Sequence, residues 1–271
     1  MTIPQHPLLP ARFERGVLHV KLNRPEARNA MTRDMVVAIR ALFTAIHDDR
    51  GVRVVVVRGA GGHFCAGDDL KEMLSSGLKA PAADEVDIVA ANSRDFGDTM
   101  RLVGSAPQVV IAICEGAVLG GGFGLACVSD IAFAKADSKF GLPETTRGLP
   151  SAQIAPFVVE RIGLTQARKL CQSGAQFDGA EALRLGLVHE CFADEAELKI
   201  KLDAAIRQVL NRAPEANAMT KEPILGVSRR DMAEVLDDAA AKLATAVRSF
   251  EAAEGIGAFV QKRRPNWAVP A

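Results

Sequence analysis

The chain has 271 residues, with 48% hydrophobic side chains and 33 acidic residues against 33 basic ones. That apolar content excludes a disordered chain, and zero net charge removes the long-range electrostatic case for a nucleic-acid or membrane-surface protein. Five scattered cysteines outside any C-x-x-C pair, an N-terminus broken by Pro4, Pro7 and Pro10, and no run of about 20 apolar residues point to a soluble cytoplasmic protein.

In chain order, Val17–Leu22 (VLHVKL) alternates like a strand and ends at the turn signal Asn23-Arg24-Pro25. Thr32 can cap a helix whose apolar positions Met35, Ile39, Leu42, Phe43 and Ile46 share one 3.6-period face. Residues 52–57 contain four consecutive valines, which predicts a strand buried on both faces. A glycine-dense loop covers residues 59–70. The small and polar residues 77–87 predict a mobile loop, leading into a helix that runs to about Leu102. Val109–Cys114 predicts a second buried strand, followed by the glycine-rich run 119–128 (LGGGFGLACV) and an apolar stretch over 131–134. Strand signals stop near Glu195. Helical stretches follow at 204–210 and 232–250, then the basic end QKRRPNW. The expected architecture is α/β with largely parallel strands over residues 1–195 and a helical C-terminal subdomain over 196–271.

Two glycine turns carry the candidate chemistry, residues 64–70 (FCAGDDL) and 119–124 (LGGGFG). Glycines at a helix start let the backbone approach a ligand, with free N–H groups and the positive end of the helix dipole facing it. Such a turn suits an oxyanion or a phosphate, but GGGFG is neither G-x-G-x-x-G nor a Walker sequence. The five histidines show no metal-ligand spacing, and Ser129 and Ser138 have no hydrolase elbow around them. Asp69 and Asp130 read as structural turn residues.

Residues 22–31 (LNRPEARNAM), 64–70 (FCAGDDL), 116–131 (GAVLGGGFGLACVSDI) and 140–144 (FGLPE), with the ending 259–267 (FVQKRRPNW), resemble the crotonase (enoyl-CoA hydratase/isomerase) superfamily. The resemblance implies a spiral of β-β-α units and a helical trimerisation region, assembled as a homotrimer or homohexamer. It also implies an acyl-CoA substrate, with coenzyme A as part of the substrate and no separate cofactor or metal. By motif position, the backbone N–H groups of Asp68 and Gly121 form an oxyanion hole, a task to which the Asp68 side chain is indifferent. Ala27, Arg28, Ala66, Phe259 and Lys262 are the coenzyme A contacts, the last two often reaching a neighbouring subunit.

Hydratases of this family commonly use two glutamates. Glu144 fills one position, while Gly124 stands at the other. The resemblance therefore implies water addition across C2–C3 of a 2-enoyl-CoA, with Glu144 as the proton-transfer group, alone or with a partner the sequence does not identify. The variant stretch 152–159 (AQIAPFVV) resembles a branch acting on branched or γ-carboxylated enoyl-CoAs, where Arg147 could face a second carboxylate. A Δ3,Δ2-enoyl-CoA isomerase working with Glu144 alone, and a non-catalytic acyl-CoA-binding or RNA-associated homologue, are the alternatives.

Overall fold

The computed structural model describes residues 3–77, 81–82 and 85–269. Strands β1 (Ala11–Glu14) and β2 (Val17–Leu22) form an antiparallel hairpin, and α1 (Arg33–Ile46) follows. The Thr32 hydroxyl accepts the Met35 N–H at 3.2 Å, and α1 buries Met35, Ile39, Leu42, Phe43 and Ile46, the face that the spacing predicts. The next turns bring β3 (Val54–Gly59), α2 (Leu70–Gly77) and α3 (Ile88–Gly104), then β4 (Val109–Cys114), β5 (Ala117–Leu119) and α4 (Gly121–Val128). They continue through β6 (Ile131–Lys135), β7 (Lys139–Gly141), a 3₁₀ turn (Glu144–Arg147) and α5 (Ala155–Ser173). Short elements β8 (Gln176–Phe177), α6 (Gly179–Arg184) and β9 (Glu190–Phe192) close this part of the chain. The loop expected over 77–87 lies largely outside the described residues, at 78–80 and 83–84.

One pattern repeats along these turns: a strand in a large sheet, a short stretch in a smaller layer, then a helix. The large sheet runs β1-β2-β3-β4-β6-β9 and is parallel from β2 onward. The small sheet runs β5-β7-β8, and two isolated parallel bridges extend it, Met31 to Asp68 and Cys65 to Val118. The valine run starts its ladder at Val54 because Val52 donates its N–H to the Asp49 carbonyl in the preceding turn.

One face of the large sheet meets α1, α3 and α4 in the main core. The other carries Val54, Val56, Ile111, Ile113 and Phe133 and is covered by Leu198, Ala205, Val209 and Leu210 of α7 (Glu195–Leu210). The first C-terminal helix is thus part of the sheet's packing, since strands buried on both faces need a second layer. Beyond it come α8 (Pro214–Gly226), α9 (Met232–Val247) and α10 (Phe250–Val260). Half-buried Lys221 ties α8 to the start of β4, donating from Nζ to the carbonyls of Ala106 and Gln108 and to Asp130 at 2.7 Å. The helix expected over 232–250 ends at Val247, and Ser249 caps a new one by accepting the Ala252 N–H. Val235 is buried, but Leu236, Leu243, Val247 and Phe259 are each more than half exposed in the single chain.

Candidate functional site

Consecutive turns of the spiral leave the smaller layer side by side, and the candidate residues stand where they do so. Cys65 precedes the first glycine turn, β5 precedes the second, and β7 precedes Glu144. Each of the first two turns relies on a left-handed glycine, Gly67 at φ +95° and Gly120 at φ +49°, a conformation L side chains rarely adopt. The two turns touch, because a Cβ on Gly120 would lie 3.2 Å from Gly67 Cα.

This geometry leaves two backbone donors free. Met31 donates its N–H to the Gly67 carbonyl at 2.8 Å and accepts the Asp69 N–H at 2.9 Å. The bridge uses the residues on either side of Asp68, so the Asp68 N–H meets no acceptor among the described residues. Gly121 opens α4, where a helix has no partner for its own N–H, and none of the described residues supplies one. Two unspent donors on touching turns can stabilise negative charge on an oxygen placed between them.

Glu144 is buried at 8% exposure. Its Oε2 accepts the Ser151 hydroxyl at 3.2 Å, and its Oε1 would lie 2.8 Å from a Cβ on Gly120. The carboxylate therefore faces the second glycine turn. Behind it, β7 is held against α4 by Phe140 stacked on Phe177, with Phe123 edge-on to both. A Cβ on Gly124 would lie 3.3 Å from Ile154 Cγ2, so isoleucine occupies the ground in front of that glycine.

The Asp68 side chain also points inward. Its Oδ1 would lie 3.2 Å from a Cβ on Gly121, beside Phe96 and Met31. Burial pushes its carboxyl up to about 6, the negative charge of Glu144 adds to the rise, and Arg147 opposes it. Arg147 is exposed and makes no ion pair among the described residues.

Ala27, Arg28 and Ala66 come together: the Ala66 N–H donates to the Arg28 carbonyl at 3.0 Å, and the Arg28 side chain is exposed. Phe259 and Lys262 lie on α10 and the turn after it, both exposed, with no hydrogen bond or ion pair to that group.

The residue that organises the first loop, Asn29, carries no role in the sequence reading. It is fully buried at φ +57°, accepts the Arg24 N–H at 2.8 Å and donates to the carbonyls of Ala60 and His63. Asp69 caps α2 through the N–H groups of Lys71 and Glu72 and pairs with Arg24 at 2.5 Å. Its neighbours, the Glu72 N–H foremost, hold its carboxyl below the usual range. Asp130 accepts the Val110 N–H, and His63 accepts the Ala117 N–H. Ser129 and Ser138 donate to backbone carbonyls. All are structural in position. Ser151 is the residue at the carboxylate that sequence reasoning missed, since a lone serine seven residues past Glu144 carries no pattern.

The chain also matches known proteins over most of its length. The sequence model described as enoyl-CoA hydratase/isomerase matches residues 12–269. Pseudomonas aeruginosa AtuE superposes with a TM-score of 0.91 at 51% identity, over 97% of this chain and 100% of that one. An enoyl-CoA hydratase/isomerase from Marinobacter aquaeolei superposes at 0.93 with 48% identity, over 97% and 99% of the two chains. A Bos taurus mitochondrial protein, enoyl-CoA hydratase domain-containing protein 2, is 32% identical over 93% of this chain and 84% of its own. Among the described residues no helix is long and apolar enough to cross a membrane.

Proposed function

This chain belongs to the enoyl-CoA hydratase/isomerase family, and from that premise we propose that it adds water to the C2–C3 double bond of a 2-enoyl-CoA. The observation that carries the reading is the pairing of two unspent backbone N–H groups, on Asp68 and Gly121, with a buried carboxylate at Glu144. The thioester oxygen sits between the two donors. Attack of water at C3 moves charge onto that oxygen as an enolate, and loss of either donor costs about 10²–10³ in rate. Glu144 exchanges protons with the water and substrate, oriented by the Ser151 hydroxyl.

Coenzyme A enters as part of the substrate. Its phosphates meet Ala27 and Arg28, its adenine lies by the Ala66 backbone, and Phe259 and Lys262 reach the nucleotide of a neighbouring subunit's site. The uncovered apolar face of α9 and α10 supports trimers, paired as hexamers. The five free cysteines support a reducing, cytoplasmic compartment. A branched or γ-carboxylated acyl group is the proposed substrate class, and Arg147 supports the carboxylated form, because its guanidinium stands free one turn after Glu144.

Turnover of a short panel of enoyl-CoAs tests the reading. A 2-enoyl-CoA should lose its enone absorbance as water adds. Gain of that absorbance from a 3-enoyl-CoA, with negligible hydration, would instead make the enzyme an isomerase. Inertness toward the whole panel would leave an acyl-CoA-binding homologue.

A further inference from the structure

Hydration moves two protons, one from the water and one to C2, and Ile154 occupies the ground before Gly124, where the family's other carboxylate is expected. A different carboxyl nevertheless stands at the same glycine turn as Glu144. Asp68 Oδ1 lies against Gly121 and Glu144 Oε1 against Gly120, neighbouring residues of one turn. The side chains of Phe96 and Met31 line the Asp68 side of that turn with apolar atoms.

Resting on the hydratase reading above, we infer that Asp68 is the second catalytic carboxyl: Glu144 takes the proton of the attacking water, and the acid form of Asp68 delivers the proton to C2. The water oxygen forms a bond to C3 while its proton passes to the Glu144 carboxylate. The C2–C3 π pair shifts to C1–C2, and the carbonyl pair moves onto the thioester oxygen. As the carbonyl re-forms, C2 takes the Asp68 proton. Glu144 is left protonated and Asp68 ionised, and transfer of one proton between them through solvent restores the start.

The assignment of roles follows position. The Asp68 N–H is a donor to the carbonyl oxygen, so its side chain begins beside C1, one bond from C2. Charge decides the protonation state. An ionised Asp68 would oppose the enolate beside it, whereas the acid form carries no charge and can donate. The titratable and charged groups that face Asp68 are Glu144, Arg147 and the Cys65 thiol. Burial pushes that thiol up to about 12, so it stays neutral. Burial and Glu144 already raise Asp68 to about 6, and an acyl chain that displaces water from the site moves it further in the same direction.

The experiment measures hydration kinetics of wild type, Asp68→Asn and Asp68→Glu from about pH 5 to 9, with acetoacetyl-CoA affinity determined for each. Asp68→Asn should lower kcat by about 100-fold or more, leave acetoacetyl-CoA affinity within about threefold, and abolish the alkaline limb of the wild-type profile. Asp68→Glu, which restores a titratable carboxyl, should recover part of the rate and an alkaline limb. If wild type hydrates but Asp68→Asn stays within about threefold with an unchanged profile, the role of Asp68 is overturned and the hydratase reading stands. A loss of affinity in step with kcat also overturns it, making Asp68 a binding residue. If wild type hydrates nothing, the hydratase reading falls and this role falls with it.

Discussion

Ile154 packs against Gly124 so closely that a Cβ on the glycine would lie 3.3 Å from Ile154 Cγ2. Restoring a glutamate at this position therefore meets an occupied site. Gly124→Glu should destabilise the fold by about 1–3 kcal/mol without raising hydration, because the core must shift to admit the new side chain. Gly124→Glu combined with Ile154→Ala should regain part of that stability, measured by denaturant unfolding. A single variant as stable as wild type would show that the isoleucine yields freely.

Ser151 holds one oxygen of Glu144. Ser151→Ala removes a hydrogen bond to a charged group, worth about 1.5–3 kcal/mol. If that bond fixes the carboxylate for proton transfer, kcat should fall about tenfold or more with little change in KM. An equal rise in KM with kcat unchanged would assign the serine to binding.

The raised carboxyl of Asp68 has a consequence for stability. Asp68 titrates near 3.8 in the unfolded chain and at about 6 in the fold, so the folded state holds an extra proton between those values. Its contribution to stability is complete below the lower value and is lost as pH rises through the upper one. Asp68→Asn removes the buried charge, and should raise unfolding free energy by on the order of 1–3 kcal/mol near pH 8 while changing it little near pH 4. Equal effects at both pH values would show that the gain is unrelated to ionisation.

The face of α9 and α10 left open by the single chain carries Leu236, Leu243, Val247 and Phe259. Light scattering should report trimers or hexamers at micromolar concentration, and Leu243→Glu should shift the population toward smaller species. A stable wild-type monomer would contradict this.

Much of the site was legible because its parts are backbone features with fixed sequence signatures. A triple glycine entering a helix and an Ala-Gly turn after a valine strand announce exposed N–H groups, and the structure leaves those of Asp68 and Gly121 unspent. Side-chain traffic was not legible. Nothing local shows that Ile154, thirty residues downstream, fills the space before Gly124, or that the carboxyls of Asp68 and Glu144 meet the same glycine turn. Both depend on how successive turns of the spiral stack. The fold followed the same division. Buried parallel strands and the Thr32 cap were readable from pattern. The packing of α7 on the sheet was not, since its apolar positions match a surface partner as well as an internal one. The helix break at Arg248–Ser249 was hidden in an alanine-rich run whose cap is a single serine.

Arg147 tests the substrate class. Arg147→Gln should lower kcat/KM for a γ-carboxylated enoyl-CoA about tenfold more than for crotonyl-CoA, because only the former has a second carboxylate to pair. Equal losses for both substrates would remove the carboxylate reading.

The central claim is that Glu144 transfers a proton during turnover, and Glu144→Gln tests it most directly. Glutamine keeps the size and much of the hydrogen bonding with Ser151 but cannot take up a proton at neutral pH. Hydration of a 2-enoyl-CoA should fall by at least about 10²–10⁴ in kcat while acyl-CoA affinity stays close to wild type. If Glu144→Gln hydrates within about a factor of two of wild type, another group carries the proton and the account of this site is wrong.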